Sequence, residues 1–199
     1  MTRSPLRPIA GAFLLALAGA CAATPPHATA VLPRDAVDGI GDPTRAAVLG
    51  SAYAFSDASH LAGQPAAAAR AAAQVEYLAV EIATGPRYVE WSPAIAMQLQ
   101  GARAELRHAL GIPAASQPQA VVDALYAAAR ALQRGDRAAA EAALQAAEAT
   151  DRPTLLVRLA ALPPLPRTRT ATALAHQELV RVDQDQRLGG VGSNDGGKD

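Results

Sequence analysis

Alanine-rich stretches that each begin at a proline constrain the fold of this chain more than any other feature of its sequence. Alanine accounts for 51 of the 199 residues, and it has the highest helix propensity of the amino acids. Proline is favoured at the first helical position, after a capping residue such as Asp or Ser. Asp42-Pro43 and Ser92-Pro93 follow this pattern, and Gln64-Pro65 opens a further helix. Since no stretch alternates apolar and polar residues as a strand does, the sequence predicts an all-α protein.

The predicted helices form a small, alanine-rich bundle. Glycines such as Gly63, Gly85 and Gly111 mark the ends of helices, because glycine is common just after the last helical residue. We expect helices over 42–62, 65–84, 93–110, 118–133, 137–150, a short one from 151 that ends before 163, and 170–187. The first four are expected to form a four-helix core, with the later helices packed alongside it or extending it as a small solenoid.

Periodicity indicates which faces of these helices pack. In the second helix, apolar residues at helical spacing define an inward face. That face comprises Ala68, Ala71, Val75, Leu78 and Ile82. In the first helix, Leu49, Tyr53, Ser56 and His60 fall on one line. Because most apolar residues are alanines, which bury little area, we expect a thin core with closely spaced helices.

The fourth and fifth helices resemble a single tetratricopeptide unit over about 34 residues. Small and large apolar residues and a tight turn carry this resemblance. They are Leu125-Tyr126, Ala131-Leu132, Gly135-Asp136, Ala140, Leu144, Ala147 and Pro153. The resemblance implies a helical hairpin of the kind that solenoid proteins stack.

The first twenty residues have the three parts of an export signal. Arg3 and Arg7 make a basic start, an apolar run over 9–18 follows, and small residues lead to Cys21. The uncharged stretch from Pro8 to Ala20 has 13 residues. This is shorter than the roughly 20 apolar residues that a membrane-spanning helix requires, so the segment is expected to direct export rather than to span.

Leu17-Ala18-Gly19-Ala20-Cys21 resembles the lipobox of bacterial lipoproteins. The resemblance implies that the Cys21 thiol carries a diacylglyceryl group, that the chain is cut before Cys21, and that the new amino terminus receives an acyl group such as palmitate. An alternative remains open, because Ala18-Gly19-Ala20 also fits an Ala-x-Ala cleavage site. Cleavage there would release a soluble periplasmic protein with one unpaired cysteine.

The residue after Cys21 is Ala22 rather than aspartate, which favours sorting to the outer membrane, facing the periplasm. The chain then divides into a signal peptide (1–20), a lipidated N-terminus and flexible tether (21–41), a helical domain (42–187) and a disordered tail (188–199). The part after the signal carries 16 basic and 18 acidic residues. No basic patch of the kind that binds nucleic acid is present, so a nucleic-acid partner is not expected.

The sequence favours a non-enzymatic role in the envelope, through protein contacts or as a structural element. No Gly-x-Ser-x-Gly elbow is present, and the sole cysteine lies at the signal junction. The only cofactor expected is the covalent lipid on Cys21. The partners expected are therefore the membrane, through this lipid, and an envelope protein.

Two acid-x-x-His spacings suggest a metal-binding alternative. Asp57 and His60 fall on the first predicted helix, and Glu105 and His108 fall on the third. Such pairs, with Glu76 from the second helix, are similar to the ligand pattern of di-iron bundles, which requires the first and third helices to run parallel. This alternative predicts a metal-binding bundle with oxidase activity. In the competing interpretation, both histidines interact with the C-terminal ends of their helix dipoles.

Tyr88, Glu90 and Trp91 lie in the predicted loop between the second and third helices. Trp and Tyr are common anchors of protein interfaces, so these residues are candidates for binding a partner. The competing interpretation is that the aromatic rings close one end of the bundle.

Overall fold

A computed structural model describes residues 29–36, 41–147 and 152–191 of the chain. Every regular element in these ranges is a helix, which confirms the predicted all-α fold. The α-helices are α1 (Pro43–Ser56), α2 (Pro65–Thr84), α3 (Pro93–Leu110), α4 (Pro118–Gln133), α5 (Arg137–Ala143), α6 (Arg152–Ala160) and α7 (Pro166–Val191). Short 3₁₀ turns lie at Arg34–Ala36, Ala58–His60, Pro86–Tyr88 and Leu144–Ala147.

Helix starts follow the proline signals closely. The Asp42 carboxylate accepts a hydrogen bond of 2.9 Å from the backbone N–H of Thr44, which satisfies one of the free donors at the start of α1. The helices α2, α3 and α4 have the predicted bounds. At the end of α3, Gly111 adopts a φ of 74°, a left-handed conformation that glycine tolerates without strain.

Three helices differ from their predicted bounds. α1 ends at Ser56 rather than near 62, because Asp57 leaves helical geometry (φ −139°, ψ 137°) and accepts a bond from the N–H of Ser59. α5 ends at Ala143 and continues as a 3₁₀ turn. α7 begins four residues earlier and ends four residues later than expected. Its last turn takes up residues 188–191 of the predicted tail, and residues 192–199 lie outside the described ranges.

Four helices, α1, α2, α3 and α7, form a closed ring in which each contacts the next. Neighbours in this ring run antiparallel, so α1 and α3 are parallel, as the di-iron ligand pattern would require. The contacts that establish these directions are Thr44–Tyr77, Glu76–Arg107, Ala79–Gln100, Ser92–Glu178, Glu105–Thr168 and Arg45–Asp183. The fold is therefore an up-down-up-down bundle, with α4, α5 and α6 inserted between its third and fourth helices.

The predicted four-helix core over 42–133 is wrong in its fourth member, because α7 rather than α4 closes the bundle. The small buried residues Ala171 and Ala175 let α7 pack closely between α1 and α3. α4 packs on the opposite side of α2 instead. Its residue Tyr126 lies beside Gln74, and Asp35, which Arg130 binds one turn later in α4, lies beside Arg70. Since the later residue of α4 is near the earlier residue of α2, α4 also runs antiparallel to α2.

α2 packs against the ring helices α1 and α3 on one side and against α4 on the other, and it is therefore buried on nearly all sides. The predicted inward face is confirmed, and Ala69, Ala72, Ala73, Ala79 and Val80 on the remaining faces are buried as well. A helix that is apolar all round belongs in the interior of a protein. In α1, by contrast, the line that contains Leu49 and Tyr53 is exposed, and the helix packs through its other side.

Residues 29–36 lie against α4, so the structure shortens the predicted tether. Leu32 is buried, and the side-chain amide of Gln119 bonds both the N–H and the carbonyl of Val31, at 2.6 and 3.1 Å. Arg130 donates two hydrogen bonds to Asp35, at 2.6 and 2.8 Å. The apolar contact and these bonds offset the entropy lost when the segment is ordered.

The predicted signal peptide and Cys21 lie outside the described residues. Among the helices of the described part, none combines the length and the apolar character required to cross a bilayer.

Candidate functional site

Asp57 and His60 do not form a pair of metal ligands in the structure. Asp57 ends α1 and caps the 3₁₀ turn that contains His60, so the two residues do not share a helix, as the sequence had suggested. The Nδ1 atom of His60 lies 2.7 Å from the carbonyl oxygen of Tyr53, and its ring stacks on the Tyr53 ring at 4.2 Å. His60 therefore closes the end of α1 through local contacts.

Glu105 and His108 do lie on one helix, α3, but the Glu105 carboxylate is fully engaged. It accepts bonds from the backbone N–H of Arg167 at 3.2 Å, from the N–H of Thr168 at 2.7 Å, and from the Thr168 hydroxyl at 2.8 Å. These donors belong to the first turn of α7, where free N–H groups and the helix dipole favour a negative charge. Glu105 thus caps α7 from a neighbouring helix, and His108 is exposed in the last turn of α3.

Glu76 forms a buried ion pair with Arg107, between α2 and α3. Both residues are at least 96% buried, since only 3% of Glu76 and 4% of Arg107 is exposed. Arg107 donates to the two carboxylate oxygens at 3.0 and 2.5 Å, which is the bidentate geometry of a strong charge-assisted pair. Its remaining nitrogen donates to the carbonyl of Ala114 at 2.7 Å. Arg103 lies 3.8 Å from the same carboxylate, and burial lowers the pKa of Arg103.

The five predicted metal ligands consequently lie in separate local environments. Within the described part of the chain, no group of three or more His, Cys, Asp or Glu side chains is placed to hold one metal ion. Glu76 is neutralised by arginine, and Glu105 is used as a helix cap. The geometry assigns both carboxylates to the stability of the bundle.

Trp91, one of the three loop residues predicted to bind a partner, is packed into the protein. It is 7% exposed, and its ring meets the half-buried ring of Tyr88 edge-on, at a centroid distance of 5.5 Å and an angle of 80°. Burial raises the pKa of Tyr88. Glu90 is exposed, and its carbonyl accepts a bond of 3.4 Å from Arg181 of α7. The rings fill one end of the bundle, as in the second interpretation of this loop.

An apolar groove with a volume of about 1010 Å³ lies at the opposite end of the bundle. We call it the α1–α7 groove, because the end of α1 and the first three turns of α7 form its two sides. The chain between α6 and α7 closes one end. The residues that define it are Ala54, Phe55, Leu61, Leu162, Pro163, Pro164, Leu165, Ala173 and Leu174. Its volume is at the upper end of the range of about 300–1,000 Å³ for ligand sites.

The groove exists because α1 is short. The Arg45–Asp183 contact sets the register of the antiparallel helices α1 and α7. Ser56, at the end of α1, therefore lies about level with residue 172, and about the first two turns of α7 extend past it. The chain turns away at Asp57 toward Gly63, whose N–H bonds the carbonyl of Ala160. At the end of the bundle that holds Arg45 and Asp183, all four helices of the ring are present. At the other end, α1 stops before it covers the start of α7.

The rim of the groove carries one charge of each sign. Asp57 and Arg169 both line it and both are exposed. Hydrogen bonds from Ser59 lower the pKa of Asp57, and Arg169 contributes in the same direction. The carboxylate is therefore ionised at neutral pH, and the residues that line the apolar groove include a charge of each sign.

Sequence reasoning missed this groove, although one signal pointed to it. Asp57 can cap a turn through its own side chain, and Gly63 and Pro65 follow within eight residues. This combination allows a helix to end at 56 rather than near 62. The opposite wall, formed by α7, was not predictable, because nothing in the sequence places Ala173 and Leu174 next to the end of α1.

A search for similar proteins returned no matching family model, no matching curated protein and no matching solved structure.

Proposed function

We propose that this chain is an outer-membrane lipoprotein of bacteria, facing the periplasm, whose helical body binds an envelope protein. The α1–α7 groove carries the binding part of the proposal, because it is a concave, mostly apolar surface with charges of both signs at its rim. Concave sites lined mainly by apolar side chains with a few polar groups are typical binding sites. The anchoring part rests on Cys21 and the lipobox-like residues before it.

The course of residues 29–36 supports a division of labour between the two ends of the body. Val31 bonds Gln119 in the first turn of α4, and Asp35 bonds Arg130 in its last turns. Because α4 runs antiparallel to α2, Thr29 lies toward the end of the body where α2 finishes. The groove lies where α2 begins. An anchor upstream of Thr29 and a partner in the groove therefore approach the body from opposite ends.

Cys21→Ser tests the anchor. The variant and the matched control Ala22→Ser are produced in a Gram-negative host, and their envelope fractions are compared. We expect the Cys21→Ser protein to leave the membrane fraction and the control to remain in it. Unchanged membrane retention of Cys21→Ser would overturn the lipid anchor.

A photocrosslinking amino acid tests the binding surface in the same host. It replaces Ala173 in the groove or, as the control, Met97, which is 74% exposed on α3. We expect a discrete crosslinked product with one envelope protein from position 173 and none from position 97. The absence of a product at 173, or the same products from both positions, would overturn the assignment of the groove as the binding surface.

A further inference from the structure

We infer that an amphipathic α-helix of a partner protein occupies the α1–α7 groove and completes the bundle where α1 stops. This inference rests on the proposed binding function of the groove and identifies the kind of partner that fits it.

The space in the groove has the shape of a missing helix segment. At 1.5 Å per residue, α1 extends for about 21 Å and α7 for about 39 Å, given their 14 and 26 residues. Residues 166–177 of α7 line the groove. In the register set by the Arg45–Asp183 contact, about the first two turns of α7 are those that α1 would cover if it continued. A helix in this position contacts α7 as α1 does earlier in the bundle.

Small residues on the walls allow a helix to approach closely. Ala58 and Ala62 lie on one side of the groove, and Ala173 lies on the other, each of them exposed. Helices whose contact residues are small pack at the lower end of the usual axial separation of about 8–10 Å. Phe55 and Leu61 form an apolar floor that is already buried in the bundle.

The open side favours an amphipathic helix over an acyl chain. The groove is about half open to solvent, whereas sites for small ligands enclose about 70–90% of the ligand surface. An amphipathic helix needs only its apolar face covered, satisfies its own backbone hydrogen bonds, and leaves its polar face in water. Asp57 and Arg169 at the rim then match a helix that carries charges of both signs beside its apolar face.

The remaining parts of this chain do not supply that helix. Thr29, where the description begins, lies toward the far end of the body, and the seven residues between Cys21 and Thr29 are too few to reach the groove and form two helical turns there. Residues 192–199 follow the end of α7, which lies beside the start of α1 through the Arg45–Asp183 contact. Their sequence is polar and rich in glycine. Neither segment therefore fits the groove as an amphipathic helix, and we assign the helix to another protein.

Binding of a synthetic helix tests the inference. The probe is a fluorescein-labelled peptide of about 14 residues, or four turns, with Leu and Ala on one face and Glu and Lys on the other. A peptide of the same composition, with its leucines distributed around the helix, is the control. Fluorescence anisotropy is measured with the full mature chain carrying Cys21→Ser, so that no covalent lipid competes. We expect saturable binding of the amphipathic peptide and at least about tenfold weaker binding of the control.

Two matched variants locate the binding. Ala173→Arg places a long charged side chain on the groove wall and is expected to weaken peptide binding by about tenfold or more. Met97→Arg adds the same side chain to an exposed site on α3 and should leave binding unchanged. Circular dichroism confirms that both variants keep their helical content, since both positions are exposed.

Several results would overturn the inference. Equal binding of the two peptides, or binding that Ala173→Arg does not affect, would show that the groove does not select an amphipathic helix. An acyl chain retained in native mass spectra, or a dimer that Ala173→Arg dissociates, would assign the groove to a lipid or to a second copy. Any of these leaves the Cys21 fractionation and the crosslinking at Ala173 as separate tests of the proposed function.

Discussion

The two opposite sides of the four-helix ring differ in how they use charge and apolar area. On the α2–α3 side, two helices of 20 and 18 residues enclose the Glu76–Arg107 pair, from which water is excluded. On the α1–α7 side, the Arg45–Asp183 pair is solvated, with side chains 45% and 27% exposed. Farther along, the same side opens into the α1–α7 groove. The α2–α3 side is packed by residues of this chain, whereas the α1–α7 side has an open groove.

This difference indicates that the α2–α3 side stabilises the domain, whereas the α1–α7 side is available for the proposed binding. A buried ion pair requires that both charges and their remaining hydrogen-bonding groups be satisfied, and Arg107 meets this requirement through Glu76 and Ala114. Any movement that separates such a pair leaves a buried charge without its counter-ion and is strongly destabilising. The α1–α7 side loses little when it is rearranged, because its charges are already hydrated. A partner helix can therefore bind there without disturbing the core.

Glu76→Met is expected to have the largest effect on stability. The methionine has a similar volume but leaves the Arg107 charge buried without a counter-ion, which costs about 3–5 kcal/mol. Chemical denaturation followed by circular dichroism measures the change in the free energy of unfolding. In the double variant Glu76→Met/Arg107→Met, the unpaired charge is gone, so we expect most of the loss to be recovered. A loss below about 1 kcal/mol in the single variant would mean that the pair is solvated, and that the two sides of the ring do not differ.

Leucine truncation compares the two sides with the same chemical change. Leu99 in α3 is fully buried, so Leu99→Ala leaves a cavity and is expected to lower the free energy of unfolding by about 2–5 kcal/mol. Leu174 is half-buried in the wall of the groove. For Leu174→Ala, we expect a loss below about 1.5 kcal/mol, because only part of its apolar area is removed from water. Equal losses in denaturation experiments would show that the groove wall is as well packed as the core.

The starts of the helices were predictable from sequence, because their signals are local. Pro43, Pro65, Pro93 and Pro118 each open a helix at the predicted residue, since proline is pre-organised for the first turn. Which helices pack against each other was harder to predict. α4 and α7 both carry alanine-rich faces, and only the three-dimensional arrangement shows that α2, buried all round, holds α4 on its outer side.

The site residues show the same limit more clearly. Glu76, Glu105 and Arg107 lie on helices whose bounds were predicted correctly, and the acid-x-x-His spacing at Glu105 is present as expected. Arg107 is one of 17 arginines, and no local pattern distinguishes it as the one that enters the core. Similarly, the role of Glu105 depends on the first turn of α7, which follows it by about sixty residues. Long-range pairing of this kind leaves no periodic signal in the sequence.

Arg45→Met is expected to have the smallest effect and to define the α1–α7 side most directly. Exposed ion pairs contribute about 0–1 kcal/mol, so the variant should lose less than about 1 kcal/mol in the free energy of unfolding. The loss should also shrink with added salt, because the screening length falls from about 10 Å at 0.1 M to about 3 Å at 1 M ionic strength. Denaturation at low and high salt measures both effects, with Arg137→Met as the control for a solvated intrahelical pair with Glu141. A salt-independent loss above about 2 kcal/mol would place Arg45 among the buried charges and would contradict the contrast between the two sides.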